Sequence, residues 1–243
     1  ANGYTSGGSE NTTVATPPAN QYNTIEKFPF SADANSTDVG DLTQARQYLA
    51  GQSAAENGYT SGGLAPSNDG IIDKYPYANA TDVGDMVQAR SRVTGQSSAT
   101  SGYNSAGLIP PHSNVIEKFP FSTDANATDV GDLTSARNNV SGQSSDANGY
   151  TSGGYNPGNV QTTIDKFPFS ADANATDVGD LTQARQGAAG QSSDVSGYKS
   201  GGGTNVIDKF PFSTDANATD VGDLTQAKEF TPGGQSSTAN GYT

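Results

Sequence analysis

Few side chains in this chain are suited to chemistry. His112 is the only histidine among 243 residues, and Cys is absent. Without a thiol there is no cysteine nucleophile, disulfide framework or Cys-based zinc site, and one His supplies neither a metal pair nor a familiar triad. His112 stands beside Pro110-Pro111 in an irregular stretch. Asp38 and Asp41 are spaced as a carboxylate pair that acid/base catalysis could use. The run from Asp33 to Asp41 is rich in oxygen donors, and Asp33, Asn35, Asp38 and Asp41 are its candidate calcium ligands. It lacks the Gly at the sixth place and the Glu at the twelfth that an EF-hand loop requires. Asn35, Asn79, Asn126, Asn174 and Asn217 each begin Asn-x-Thr, and Asn11 and Asn139 add two more glycan acceptors for a eukaryotic secretory source. Short polar residues of this kind are equally turn formers. No nucleophile elbow and no phosphate-cradling glycine loop is present.

Most of these groups recur, and the recurrence governs their reading. Gly-Tyr-Thr or a close variant begins at Gly3, Gly58, Gly102, Gly149, Gly197 and Gly241. Thr-Asp-Val-Gly-Asp begins at Thr37, Thr81, Thr128, Thr176 and Thr219, and Gly-Gln-Ser at Gly51, Gly95, Gly142, Gly190 and Gly234. Three phrases in one order, five times, define repeat units of about 48 residues, approximately 3–57, 58–101, 102–148, 149–196 and 197–240, in one domain covering 1–243. The carboxylate pair occurs in every unit, so a fivefold structural role is expected of it and no enzyme is expected. No cofactor is expected either, beyond the calcium that the acidic loops would take.

Basic residues follow the same register: Arg46, Arg90, Arg137, Arg185 and Lys228 occupy one repeat position, and Lys27, Lys74, Lys118, Lys166 and Lys209 another. Acids precede each of the latter, and the expected pairs are Asp41 with Arg46 and Glu26 with a neighbouring lysine. The net charge of −13 argues against binding a polyanion such as nucleic acid. No apolar run is long enough to enter a membrane. Large aliphatic residues are sparse and the net charge is high, a composition typical of disorder, but a disordered tail does not keep charges in register. The chain does not begin with Met and is expected to be a piece of a longer protein.

The elements that hold these groups read as short strands. Ile25-Glu26-Lys27-Phe28-Pro29-Phe30 and its copies are β-type, and the Pro places an edge or an end there. Gly-Tyr-Thr-Ser-Gly-Gly suits a strand closely approached by a neighbour and ending in a glycine turn. Val39 and Leu42 mark a third strand and Gly51-Gln52-Ser53 a fourth. Only Leu42 to Leu49 offers a brief helical pattern. The chain is therefore expected to be all-β: a five-bladed β-propeller of four short antiparallel strands per blade, with a β-solenoid as the competing architecture. Phe28, Phe30 and their copies should supply most of the apolar area between blades.

Read as Gly-Asp-Leu-Thr-x-Ala-Arg, Gly-Gln-Ser-Ser, Gly-Tyr-x-x-Gly-Gly and Val-Ile-Asp-Lys-Phe, the unit resembles the kelch-type β-propellers over almost the whole chain. Tyr59 to Gly63 and Tyr150 to Gly154 carry the double glycine, and Arg46, Arg90, Arg137 and Arg185 take the Arg place. Departures are the absence of Trp, Ala106 for one glycine and Lys228 for one Arg. The phrase Phe-Pro-Phe-Ser-x-Asp-Ala-Asn-Ala-Thr-Asp-Val-Gly-Asp-Leu is also similar to repeats of virion or tail-associated proteins predicted for marine bacteriophages. That second resemblance implies an extracellular or virion-surface setting and an attachment role. Kelch order implies that the two termini meet in one blade, although Asn-Gly-Tyr-Thr occurs at both ends and a closed ring of five holds only one of them.

The segments after the double glycine (Ser9 to Thr24, Leu64 to Gly70, Leu108 to Asn114, Tyr155 to Thr163, Gly203 to Asn205) and after the repeat Arg (Tyr48-Leu49, Val93-Thr94, Asn139-Val140, Gly187-Ala188, Phe230-Thr231) differ among units. In this strand order both emerge on one face, where binding by a rigid repeat usually resides. Tyr22, Tyr48, His112 and Tyr155 are the candidate ligand-binding residues. The expected partner is a host-surface glycan or protein, and the alternative is a structural virion module that contacts only neighbouring subunits.

Overall fold

The computed structural model describes residues 2–10, 20–228 and 233–243. It is an all-β, five-bladed propeller, a ring of small antiparallel sheets with four strand positions per blade and no helix among the described residues. The Leu42 to Leu49 stretch is a connection. The first blade comprises Ala50–Ser53, Gly58–Ser61, Ile71–Tyr75 and Thr81–Asp85. The second has Thr94–Ser97, Ser101–Ser105, Val115–Pro120 and Thr128–Asp132, and the third Ser141–Ser144, Asn148–Ser152, Thr163–Pro168 and Thr176–Asp180. The fourth has Ala189–Ser192, Ser196–Ser200, Thr204–Pro211 and Thr219–Lys228. The Gly-Gln-Ser strands contact one another from blade to blade and form the inner wall. The third strand of the second and third blades stops at its Pro, Pro120 or Pro168, where the missing N–H costs no ladder bond.

Side-chain size explains the Gly-Tyr pair. Gly102 lies opposite Phe119, and a Cβ at Gly102 would sit 2.3 Å from the tip of that ring. The ring lies across the bare glycine and packs on Tyr59 of the preceding blade. Between blades, Tyr59 packs on Phe119 and Phe121, Tyr103 on Phe167 and Phe169, and Tyr150 on Phe210 and Phe212, with centroids 4.8–5.6 Å apart. Together with Ile72, Ile116 and Ile164 these rings form the apolar clusters of the joints, so the aromatic pairs do supply the interblade area.

Because both faces of a blade are covered, consecutive third-strand residues are both buried. Ile164 and Asp165 are each 0 % exposed on opposite faces. A bulge recurs at this point in the pairing with the outer strand of each sheet. The acid faces the preceding blade, and that decides the charge pairing. Arg46 bonds Asp73 at 2.7 Å, Arg90 pairs with Glu117, Arg137 with Asp165 at 2.7 Å and Arg185 with Asp208 at 2.5 Å, all buried. The expected Asp41–Arg46 pair is not formed: the partner is the acid that precedes the repeat lysine of the next blade. The lysines Lys74, Lys118 and Lys166 reach across the surface to Asp124, Asp172 and Asp215. Glu26 pairs with no lysine among the described residues, and Lys228, unlike the four arginines, is exposed. Both lie where the ring is interrupted.

The interruption is at the fifth blade, to which both chain ends contribute. The ends meet there as separately paired strands: Gln235–Ser236 pairs with Gly241–Tyr242, and Thr24–Pro29 pairs with Asn2–Ser6 on one side and Thr37–Asp41 on the other. In every complete joint the inner-strand Gln donates to the Tyr carbonyl of the following sheet, as Gln52 does to Tyr103 (3.1 Å) and Gln191 to Tyr242 (3.2 Å). Gln235 Nε2 donates to the Tyr4 carbonyl at 2.7 Å and ties the two pieces together. Each Asn-Gly-Tyr-Thr copy forms a strand of its own, Asn2–Ser6 and Gly241–Tyr242.

Candidate functional site

The two variable connections meet on one face and are stitched together by backbone pairs, Gln47 with Leu64, Ser91 with Leu108 and Asn138 with Tyr155. Two residues beyond each repeat Arg the backbone turns left-handed: Tyr48 (φ 58°), Arg92 (φ 55°), Asn139 (φ 51°) and Gly187 (φ 60°). Glycine adopts this conformation freely and Asn tolerates it, whereas other L side chains there cost about 1 kcal/mol. Three blades nevertheless carry a side chain at the position, a different one each time, on the rim of the ring. The Arg92 guanidinium lies 5.1 Å from the Tyr48 ring centroid, and Arg92 N–H donates to the Tyr48 carbonyl at 2.8 Å. The corresponding Phe230 and Thr231, and the middle of the Ser9 to Thr24 loop with Asn11, lie outside the described residues.

Beside this rim is an open groove of about 320 Å³ lined by Arg92, Leu108, His112, Asn138, Asn139, Tyr155 and Gln186. It bridges the second and third blades. Asn138 Nδ2 lies 2.9 Å from His112 Nδ1; with the amide donating, His112 carries its proton on Nε2. The His112 ring meets Tyr155 edge-on at 5.9 Å. Partial burial, and then the nearby Arg92 charge, push the imidazole pKa below its ordinary value, which keeps the ring neutral. Asn139 Nδ2 donates to Gln186 Oε1 at 3.3 Å. Asn138 is 2 % exposed and its Oδ1 has no partner, an unused acceptor at the groove.

Of the four residues picked from the sequence, His112 and Tyr155 share the groove, and Tyr48 joins its rim through Arg92. Tyr22 stands apart, exposed, with its hydroxyl donating to Glu10; that bond holds the phenol pKa up. Arg92, Asn138, Asn139 and Gln186 complete the groove, and the signal for them was positional: counting one and two places from the repeat Arg finds all four.

The calcium candidates are not assembled into a site. No three Asp, Glu or His side chains are placed to share a cation among the described residues. Asp38 Oδ1 instead accepts from Gly40 N at 3.0 Å, an Asx turn repeated at Asp82, Asp129, Asp177 and Asp220. The sequon residues also have a structural use: Oδ1 of Asn79, Asn126, Asn174 and Asn217 accepts the N–H of Asp41, Asp85, Asp132 and Asp180 in the preceding sheet, each at 3.0 Å. No family model matches this chain, and no curated protein matches it at a significant level.

Proposed function

We propose that this is a non-catalytic binding propeller, displayed on a virion or cell surface, that recognises a glycan through the groove and rim formed by Tyr48, Arg92, His112, Asn138, Asn139 and Tyr155. The observation that carries the reading is the left-handed rim position, where Tyr48, Arg92 and Asn139 hold three different side chains, the first two at a conformational cost that glycine would avoid. Strain kept at one loop position with a changing side chain is what variable recognition on a constant frame requires. The chemistry suits a sugar: aromatic faces for C–H surfaces, amides and a cation for hydroxyls, and the unpartnered Asn138 Oδ1 for an O–H donor. The virion or extracellular setting rests on the phrase similarity alone. A protein ligand would use the same groove. A structural module is the competing reading, and the cavity of about 260 Å³ beside Tyr198, Ile207 and Leu224 of the fourth blade is the observation on its side.

The test is binding of the purified chain to a broad glycan array, with and without calcium, beside the variants Tyr155→Ala and Asn139→Ala. Saturable binding to one sugar class, lost in both variants and indifferent to calcium, is the expected result. No binding in either condition, with both variants folded, defeats the glycan reading and favours the structural one.

A further inference from the structure

Ten of the twelve basic residues occupy repeat positions, and the two that do not are Arg92 and Lys199. Lys199 is wholly buried, with Nζ donating to Ser141 Oγ and the Ser152 carbonyl. Arg92 is half-buried on the variable face, at the place where other units carry Tyr48, Asn139 and Gly187. Every other arginine is committed to a buried acid: Arg46 to Asp73, Arg90 to Glu117, Arg137 to Asp165 and Arg185 to Asp208. Arg92 has no acid partner among the described residues, and its guanidinium rests over the Tyr48 ring.

The groove that Arg92 lines contains no Asp or Glu, although the chain has 25 of them. The charge acting on the His112 ring is that of Arg92. Salt screens acids lying more than about 8 Å away, so the nearest charge governs what the groove attracts. That charge is a guanidinium without a counter-ion, beside a neutral imidazole and the amides of Asn138, Asn139 and Gln186.

We infer that the groove takes the terminal residue of a glycan when that residue carries a carboxylate, a uronic acid or a related sugar acid, with Arg92 receiving the carboxylate and Asn138 a hydroxyl. The inference rests on the glycan reading above and adds the class of sugar. The planar fork of a guanidinium matches a carboxylate through two parallel, charge-assisted N–H···O bonds, which are stronger than a bond to a neutral hydroxyl. The Tyr48 ring beneath it and the bond from Arg92 N–H to the Tyr48 carbonyl hold the residue in place before any ligand arrives. One cation meets one carboxylate, whereas a run of acidic sugars would bring further charges against the chain's net −13. A volume of about 320 Å³ is at the lower end of small-ligand sites and suits a terminus rather than a chain. Asn138 is buried and spends Nδ2 on His112, which leaves Oδ1. Turning that amide over leaves Nδ2 instead, and a sugar hydroxyl, both donor and acceptor, fills either vacancy, whereas a peptide N–H fills only one.

The test is made on the glycan array at about pH 8, where an imidazole is neutral with or without a neighbouring arginine. Glycans ending in a sugar acid are expected to bind, and the same glycans ending in the neutral sugar are not. Arg92→Gln should weaken binding about tenfold or more and remove most of its dependence on NaCl, and Arg92→Lys, which keeps the charge and loses the fork, should fall between. Methyl esterification of the bound glycan's carboxylate should cost the unaltered protein as much as Arg92→Gln does and cost that variant nothing further; because it needs no substitution, it decides even where a variant is destabilised. Binding to neutral sugars alone, or undiminished affinity in Arg92→Gln, overturns this inference and leaves the glycan reading standing. Competition by oligoglutamate as strong as by the glycan shows that charge alone is read, and overturns it as well. An array with no glycan bound defeats both readings together.

Discussion

Arg137 Nη2 lies 2.7 Å from Asp165 Oδ2, with both side chains fully excluded from water, and the two residues belong to successive repeat units. Arg137 sits on the connection that enters the third blade, and Asp165 on that blade's third strand. The carboxylate also accepts from Thr134 N (3.1 Å) and Thr134 Oγ1 (2.7 Å), and the guanidinium donates to the Thr151 and Thr163 carbonyls. A pair that is desolvated and hydrogen-bonded on both sides fastens the outgoing strand of one blade to the next. Burial pulls the Arg137 pKa down from its usual value, yet the adjacent acid opposes the shift.

Arg137→Met is expected to lower stability by about 3–5 kcal/mol, because it strands a buried carboxylate. Adding Asp165→Leu should recover much of the loss. Lys166→Ala, which breaks only the exposed pair with Asp215, should cost less than about 1 kcal/mol. Urea denaturation of the three variants checks the order; equal losses for Arg137→Met and Lys166→Ala would mean that the buried pair is not a fastener.

The rim should show a stability cost for its side chains. Asn139→Gly relieves the left-handed conformation and is expected to raise stability by up to about 1 kcal/mol. Glycan binding should weaken in the same variant, since the amide that meets Gln186 is gone. A variant that is both less stable and fully competent to bind would remove the rim from the site.

His112 titrates as the only imidazole, so one resonance pair reports it. Its folded pKa lies below the unfolded value, so the unfolded chain takes up the proton first. Stability and ligand affinity should therefore be intact above the ordinary imidazole value and decline as pH falls below it. Arg92→Gln removes one of the two causes, and NMR titration should then show the pKa moving up.

Lys199 is wholly buried between the third and fourth blades, with Nζ donating to Ser141 Oγ and the Ser152 carbonyl at 2.8 Å each and no acid among those partners. Burial first, then the Arg185 and Arg137 charges, hold its pKa well below 10.5. The unfolded state binds this proton more readily, so stability should rise with pH from the depressed folded value up to about 10.5. Lys199→Met should flatten that rise, as denaturation midpoints taken at a series of alkaline pH values would show.

The sequence by itself carried the unit, its strand order and its strand ends. Phrases recurring at about 48 residues, β-type residues around Phe-Pro-Phe and glycines at fixed places are local signals, and a strand needs only its own residues and near neighbours to be recognised. The propeller and its interblade aromatics followed from them. Tertiary structure alone decided which copy of a repeated group meets which. Five identical registers contain five equivalent acids for each arginine, and only the stacking of blades, with the bulge beside Ile164, turns Asp165 rather than Asp132 toward Arg137. The groove is similar: His112, Asn138 and Tyr155 lie in different connections, and the positive φ at Tyr48 and Arg92 leaves no mark in residue types that ordinarily avoid it. How the two chain ends pair within the fifth blade is the furthest from the sequence, because both copies of Asn-Gly-Tyr-Thr satisfy the same local pairing and only the packing of the whole ring distinguishes them.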